Sequence, residues 1–147
     1  MKLVIQRVSQ ASVFVENKVC GSIQKGLLVL LGIHKDDKPE DTLWYVNKLI
    51  NLRIFNDLQG KMNLNVNDVK GQILVISQFT LYGNCLSGRR PDFIQAAPPN
   101  IAKPIYDKFV REVLECHGQV QTGEFGAEMQ VSLVNEGPVT FILEKDV

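Results

Sequence analysis

Apolar and polar positions alternate from the first residues of the chain. Leu3, Ile5 and Arg7 fall on one side of the alternation and Val4, Gln6 and Val8 on the other, which predicts a strand over 2–8. A second strand is predicted over 11–16, where Val13 and Val15 share a face, and the Glu16-Asn17-Lys18 turn leads into a short third one from Val19 to Ile23. The run "GLLVLLGI", 26–33, is apolar on both faces, as in a strand buried in the middle of a fold. The period then changes. Leu43, Val46, Leu49, Ile50 and Arg53 recur at helical spacing, and acidic residues with Pro39 stand just ahead of them. A helix from about Pro39 to Leu52 follows.

"NDLQGK" reads as a turn, and "QILVISQF", 72–79, as a second buried strand after the Lys70-Gly71 turn. Residues 83–100 are rich in Gly, Pro and Asn and form the longest irregular connection, a kind of segment that is often functional. A second helix is predicted from an Asn100 cap to about His117, with Ile105, Phe109, Val113 and Cys116 on one face and Gly118 as its stop. From Gln119 the pattern gives a strand, a "TGEFGAE" turn and a last alternating stretch, "QVSLVNEGPVTFILE", 130–144. Gly137-Pro138 interrupts that stretch, and proline lacks the N–H that a central strand requires. The order βββ-β-α-β-α-ββ, with no internal repeat or shift in composition, predicts one α+β domain over 1–147 with mixed and antiparallel sheets and two main helices.

Composition narrows the chemistry mostly by exclusion. Sixteen basic and sixteen acidic residues give no net charge, which argues against broad electrostatic wrapping of nucleic acid but leaves room for a small contact at one end of it. Three cysteines without C-x-x-C spacing read as reduced thiols rather than a disulfide framework. The start of the chain lacks a continuous apolar core of the signal-peptide kind, and "GLLVLLGI" is too short to span a bilayer. The expectation is a cytoplasmic protein without membrane contact. No phosphate-loop, dinucleotide, nucleophile-elbow or H-E-x-x-H motif is present. His34 and His117 have no partners in metal-ligand spacing, so neither a metal nor a cofactor is expected.

Three segments stand out. "SQFTLYG", Ser77 to Gly83, closes a buried strand, where ligands meet backbone N–H groups, although Ser77 and Thr80 are equally at home at a strand edge. "SGRRPDF", Ser87 to Phe93, places Arg89 and Arg90 in a loop beside an aromatic, which suits phosphate contact with base stacking and also suits a plain charged surface. "VNEGPVT", Val134 to Thr140, is either a hairpin turn or a presented piece of backbone.

Together these segments resemble the D-aminoacyl-tRNA deacylase family. Its two signatures correspond here to Ser77-Gln78-Phe79-Thr80 and Gly137-Pro138-Val139-Thr140. Further similar stretches run along the chain in order, among them "IQRV" at 5–8, "RIF" at 53–55, "KMNLNV" at 61–66, "RPDF" at 90–93 and "TGEFGAEMQVSLVN" at 122–135. "YGNCLSG" at 82–88 departs from the family pattern, which leaves the loop's tRNA contacts open.

The resemblance implies a homodimeric, metal-independent hydrolase of translation quality control. It would cleave the ester joining a D-amino acid, or glycine, to the terminal adenosine of tRNA, with D-aminoacyl-tRNA and glycyl-tRNA as partners. It implies a cis Gly137-Pro138 bond inserted into the partner subunit's site, where it rejects L-aminoacyl groups. Ser77 to Thr80 would carry the reaction through backbone donors, with Thr80 an improbable nucleophile because no base stands near it in sequence. Arg7 would brace Gly-Pro, while Phe125 and Met129 would line the adenine pocket. Arg89 and Arg90 are the candidates for phosphate contacts. Two other readings stay open: an acceptor-end binding module without turnover, and a small-molecule hydrolase using Cys85 with His117 as base.

Overall fold

A computed structural model describes residues 1–145. The first strand, β1 (Lys2–Val15), is a single element rather than the two expected, and it serves three partners. Along one edge it pairs antiparallel with β3 (Gly26–Gly32) through residues 2–8, and then with β2 (Lys18–Ile23) through residues 11–15. Along the other edge it pairs antiparallel with β8 (Gln130–Glu144) over its whole length. β3 continues the sheet to β6 (Gln72–Ser77) and β6 to β7 (Gln121–Thr122), both in parallel. The sheet curls until its edges nearly meet: a Cβ placed on Gly21 of β2 would lie 2.5 Å from the Thr122 carbonyl oxygen of β7.

Alternation along these strands divides the apolar residues between two cores. Inside the curl, Val8, Ala11, Val13, Ile23, Leu28, Leu74 and Ile76 pack together. The outer face contributes Leu3, Ile5, Val29, Leu31, Ile73 and Val75 to a larger core with the two helices, α1 (Thr42–Asn51) and α2 (Pro99–His117). The continuous apolar run of β3 is thus apolar on both sides because both sides are covered. Leu3 and Val13 are both odd-numbered yet lie in opposite cores. The strand changes face at a bulge, since Val8 pairs with Asn135 and Gln10 with Val134, two steps on β1 against one on β8. Ser9 and Gln10, which fall between the two predicted strands, lie at this bulge.

The first predicted helix is a 3-10 turn, Pro39–Asp41, running into α1, which ends at Asn51 before Arg53. α2 starts at Pro99, with Pro98 and not Asn100 as its cap; at the first helical position a missing N–H costs nothing. Cys116 is exposed in its last turn, unlike Ile105, Phe109 and Val113. A two-stranded hairpin, β4 (Phe55–Asn56) with β5 (Met62–Leu64), flanks the segment read only as a turn. β6 stops at Ser77, two residues short of the expected end, and Phe79–Tyr82 form a single 3-10 turn. Among the described residues no helix is long and apolar enough to cross a membrane.

The parallel β3–β6 contact leaves no room for a side chain at Gly26, where an added Cβ would sit 1.8 Å from the Gln72 carbonyl oxygen. Gly26→Ala must therefore separate two central strands, and we expect a loss of about 3 kcal/mol, read as a lowered urea midpoint with unchanged slope.

Candidate active site

Beyond the end of β6 lies a cavity of about 460 Å³. Ser77, Gln78 and Phe79 form one wall, and Ala97, Pro99 and Ala102, at the start of α2, another. Phe125, Gly126, Ala127 and Met129, from the segment after β7, complete it with Ile33, Ile76 and Val131. The lining is mainly apolar, with the polar groups confined to the Ser77–Gln78 side, the usual make-up of a site for a small organic group. Phe125 is supported from behind by Tyr106, 5.5 Å away between ring centroids, and Tyr106 is itself anchored by its hydroxyl donating to the Val75 carbonyl oxygen at 3.1 Å.

The backbone at this strand end is bound on one side and free on the other. Gln78 N–H still reaches across to the Leu31 carbonyl oxygen at 2.8 Å, and the turn then begins with Leu81 N–H donating to Gln78 O. Phe79 and Thr80 occupy the first positions of that turn, whose N–H groups have no partner within it. The Gln78 side chain folds over its own turn, Nε2 donating to Thr80 Oγ1 at 2.5 Å. Thr80 is exposed and does not line the cavity. Phe79 is 55% exposed and packs edge-on against Phe93 at 5.1 Å, so the base of the 83–100 loop meets the cavity rim. Arg89 and Arg90 are exposed in the same loop, above the Asn84–Asp92 bridge that closes it.

The second signature lies elsewhere. Val8 pairs with Asn135 but Gln6 pairs with Thr140, so two steps on β1 face five on β8, and residues 136–139 leave the ladder as an excursion. The Gly137-Pro138 bond within it is cis, and Gly137 has φ 131°, a conformation in which a side chain would meet Val139 Cγ2 at 2.8 Å. Both residues are exposed, while Val139 turns inward and is buried. The buried Arg7 lies beneath: Nε donates to the Glu136 carbonyl oxygen at 3.1 Å, and Nη1 donates to Ile54 O at 2.9 Å and Asn56 Oδ1 at 3.2 Å. Thr140 Oγ1 accepts from Gln6 Nε2 and Asn135 Nδ2.

Of the residues singled out by sequence, Ser77, Gln78, Phe79, Phe125 and Met129 thus meet at one cavity. Gly137, Pro138, Val139, Thr140 and Arg7 form a second group that does not line it. Sequence reasoning missed Ile33, Ala97, Ala102, Asn56 and Asn135, the last of which sits inside a segment already marked by its turn residues. Cys85 is exposed, and both ring nitrogens of His117 are taken by Asn67 Oδ1 at 2.6 Å and Gly71 O at 2.8 Å. His117 therefore has no nitrogen free to serve a thiol.

This sequence and fold have close counterparts. The D-Tyr-tRNA(Tyr) deacylase family model matches residues 4–144, and the chain belongs to that family. It is 61% identical to the D-aminoacyl-tRNA deacylase of Protochlamydia amoebophila and 56% identical to that of Thermosipho africanus, over 98% of this chain and 95% and 97% of those proteins. Among solved structures, the c-Myc DNA unwinding element binding protein superposes with a TM-score of 0.93 at 40% identity, covering all of both chains. A probable eukaryotic D-amino acid tRNA deacylase shares the fold, with a TM-score of 0.87 at 19% identity over 97% of each chain.

Burial, reinforced by the neighbouring Asp107 charge, pushes the Tyr106 phenol up to about 12 from its ordinary 10. The folded state thus holds this proton more tightly than the unfolded chain. Its contribution is intact below pH 10 and is lost as pH rises toward 12. Thermal melts across that window should show the midpoint falling, and Tyr106→Phe should flatten the fall while lowering the neutral-pH midpoint through the lost bond to Val75.

Proposed function

We propose that this protein is a D-aminoacyl-tRNA deacylase, a hydrolase that cleaves the ester between a D-amino acid and the terminal adenosine of tRNA. One observation carries the reading: an apolar cavity with an aromatic wall opens beside Phe79, whose N–H, like that of the next residue, is left over by both strand and turn. Family membership supplies the substrate class. An aminoacyl ester is already activated, so hydrolysis needs a positioned water and donors for the oxyanion rather than a powerful nucleophile. One such donor is typically worth about 10²–10³ in rate. The adenine is assigned to Phe125 and Met129, which offer a π face and a polarisable thioether. A terminal ribose hydroxyl, carried by the substrate, is the candidate for steering the water.

Chirality cannot be read by composition, because D and L esters contain the same atoms. Discrimination requires a fixed surface that one side-chain direction strikes. We assign that surface to Gly137-Pro138 of a second subunit. Three features support the assignment: the segment stands out of its own ladder, is held from below by Arg7, and does not line its own chain's cavity. A homodimer is further supported by β8, which pairs only with β1 among the described residues and exposes Val134, Phe141 and Ile142. Glycyl-tRNA is admitted by the same reasoning, since glycine has no side chain to strike the wall. Arg89 and Arg90 are assigned to phosphates beyond the adenosine. Acting on tRNA in this way, the protein would serve translation quality control in the cytoplasm.

Catalytic amounts of purified protein should release D-tyrosine from D-tyrosyl-tRNA and leave L-tyrosyl-tRNA intact. Binding of both without release would instead make the protein an acceptor-end binding module. Thr80→Ala should keep at least about a third of wild-type turnover, since an unactivated hydroxyl is a poor attacker. A complete loss in a folded, substrate-binding variant would restore Thr80 as nucleophile.

A further inference from the structure

We infer that Asn135 is a positioning residue, whose side-chain amide aims the Pro138 carbonyl out of the β8 excursion toward the acyl group being tested. This rests on the assignment of Gly137-Pro138 as the chirality wall.

Leaving a ladder strips backbone groups of their partners, and a segment without partners wanders. Arg7 fixes the near side of the excursion by binding the Glu136 carbonyl oxygen, 3.1 Å from Nε. That bond orients the Glu136–Gly137 peptide plane but not the plane beyond proline. Proline itself has no N–H to tether. The first amide after it belongs to Val139, and this N–H donates to Asn135 Oδ1 at 2.9 Å. The Pro138 carbonyl shares a planar peptide with that amide and points in the opposite direction. Capturing the Val139 N–H inward therefore turns the Pro138 carbonyl outward.

The other end of the same side chain closes the device. Asn135 Nδ2 donates to Thr140 Oγ1 at 2.9 Å, and that oxygen also accepts from Gln6 Nε2 at 3.3 Å. Asn135 and Thr140 are the ladder residues on either side of the excursion, opposite Val8 and Gln6. One planar amide thus spans both feet, and its acceptor is held in place by its own donor. Asp supplies the acceptor without the donor. Ala and Leu supply neither.

The test uses the full-length protein with D-tyrosyl-tRNA and L-tyrosyl-tRNA, and follows amide exchange in parallel. Asn135→Ala should lower the D-over-L rate ratio by about tenfold, the factor that one lost hydrogen bond produces. Exchange at Val139 should quicken by a similar factor, while amides of the paired segments 131–133 and 141–143 keep their protection. Asn135→Asp should retain slow exchange at Val139 and most of the discrimination. Thr140→Ser, which keeps the accepting hydroxyl, should retain slow exchange at Val139, whereas Thr140→Val should show part of the faster exchange of Asn135→Ala. An Asn135→Ala protein with unchanged discrimination and unchanged Val139 exchange would overturn the inference. So would faster exchange along the whole of β8, which would mean that Asn135 only stabilises the strand. A wild-type protein that cleaves neither ester overturns the proposed function first and this role with it, an outcome distinct from equal discrimination by wild type and variant.

Discussion

The organisation of this molecule depends on β1 being shared. One edge is committed to β8 from end to end, and the other is divided between β3 and β2. A strand that must feed an outer core with its first half and an inner core with its second has to change face without breaking. The bulge at Ser9-Gln10 does this with one extra residue. The excursion at 136–139 is the matching irregularity on the partner strand, a few residues away in the same ladder. Arg7 lies opposite the excursion and is buried, so its guanidinium requires acceptors, and it finds them in Glu136, Ile54 and Asn56. The departure of one backbone supplies a bond for the buried charge, and the charge holds the departed backbone in place.

The division of labour between the two signatures follows from their positions. Ser77–Thr80 stands at the end of a buried strand, where regular pairing stops and N–H groups become available. Gly137-Pro138 stands in the middle of an edge-facing strand, where proline's missing N–H is no loss because the ladder is already open. Neither location needs reactive side chains. A protein with two histidines, neither of which lines the cavity, is therefore suited to a reaction in which the ester is already activated and geometry makes the difference.

Much of this was legible along the chain, and what was not has a physical reason. α1 was visible because its buried residues follow one helical stripe from a proline start. β3 and β6 were visible because strands covered on both faces have no polar positions. β1 was read as two strands because a bulge and a gap produce the same phase slip in a one-dimensional pattern. The hairpin of β4 and β5 is too short for a period to register. Of the residues that line the cavity, Ser77 to Phe79, Phe125 and Met129 could be named in advance. Ile33, Ala97 and Ala102 could not, because ordinary apolar residues become a wall only when separate segments converge. Thr80 and Cys85 drew attention as reactive groups, yet both are exposed and neither lines the cavity.

The excursion in β8 also sets a rule about length. Val131 and Leu133 pack toward the inner core and Leu143 toward the outer one, although all three are odd-numbered. The residues inserted at 136–139 are what reverse the sense of the strand between them. Removing one would turn Leu143 away from its core and bring Ile142 inward, because side chains alternate at every step. The loop is therefore a phase shifter as well as a presented motif. Its count of residues is constrained by the hydrophobic interior, independently of the chemistry that Gly137 and Pro138 present at its tip.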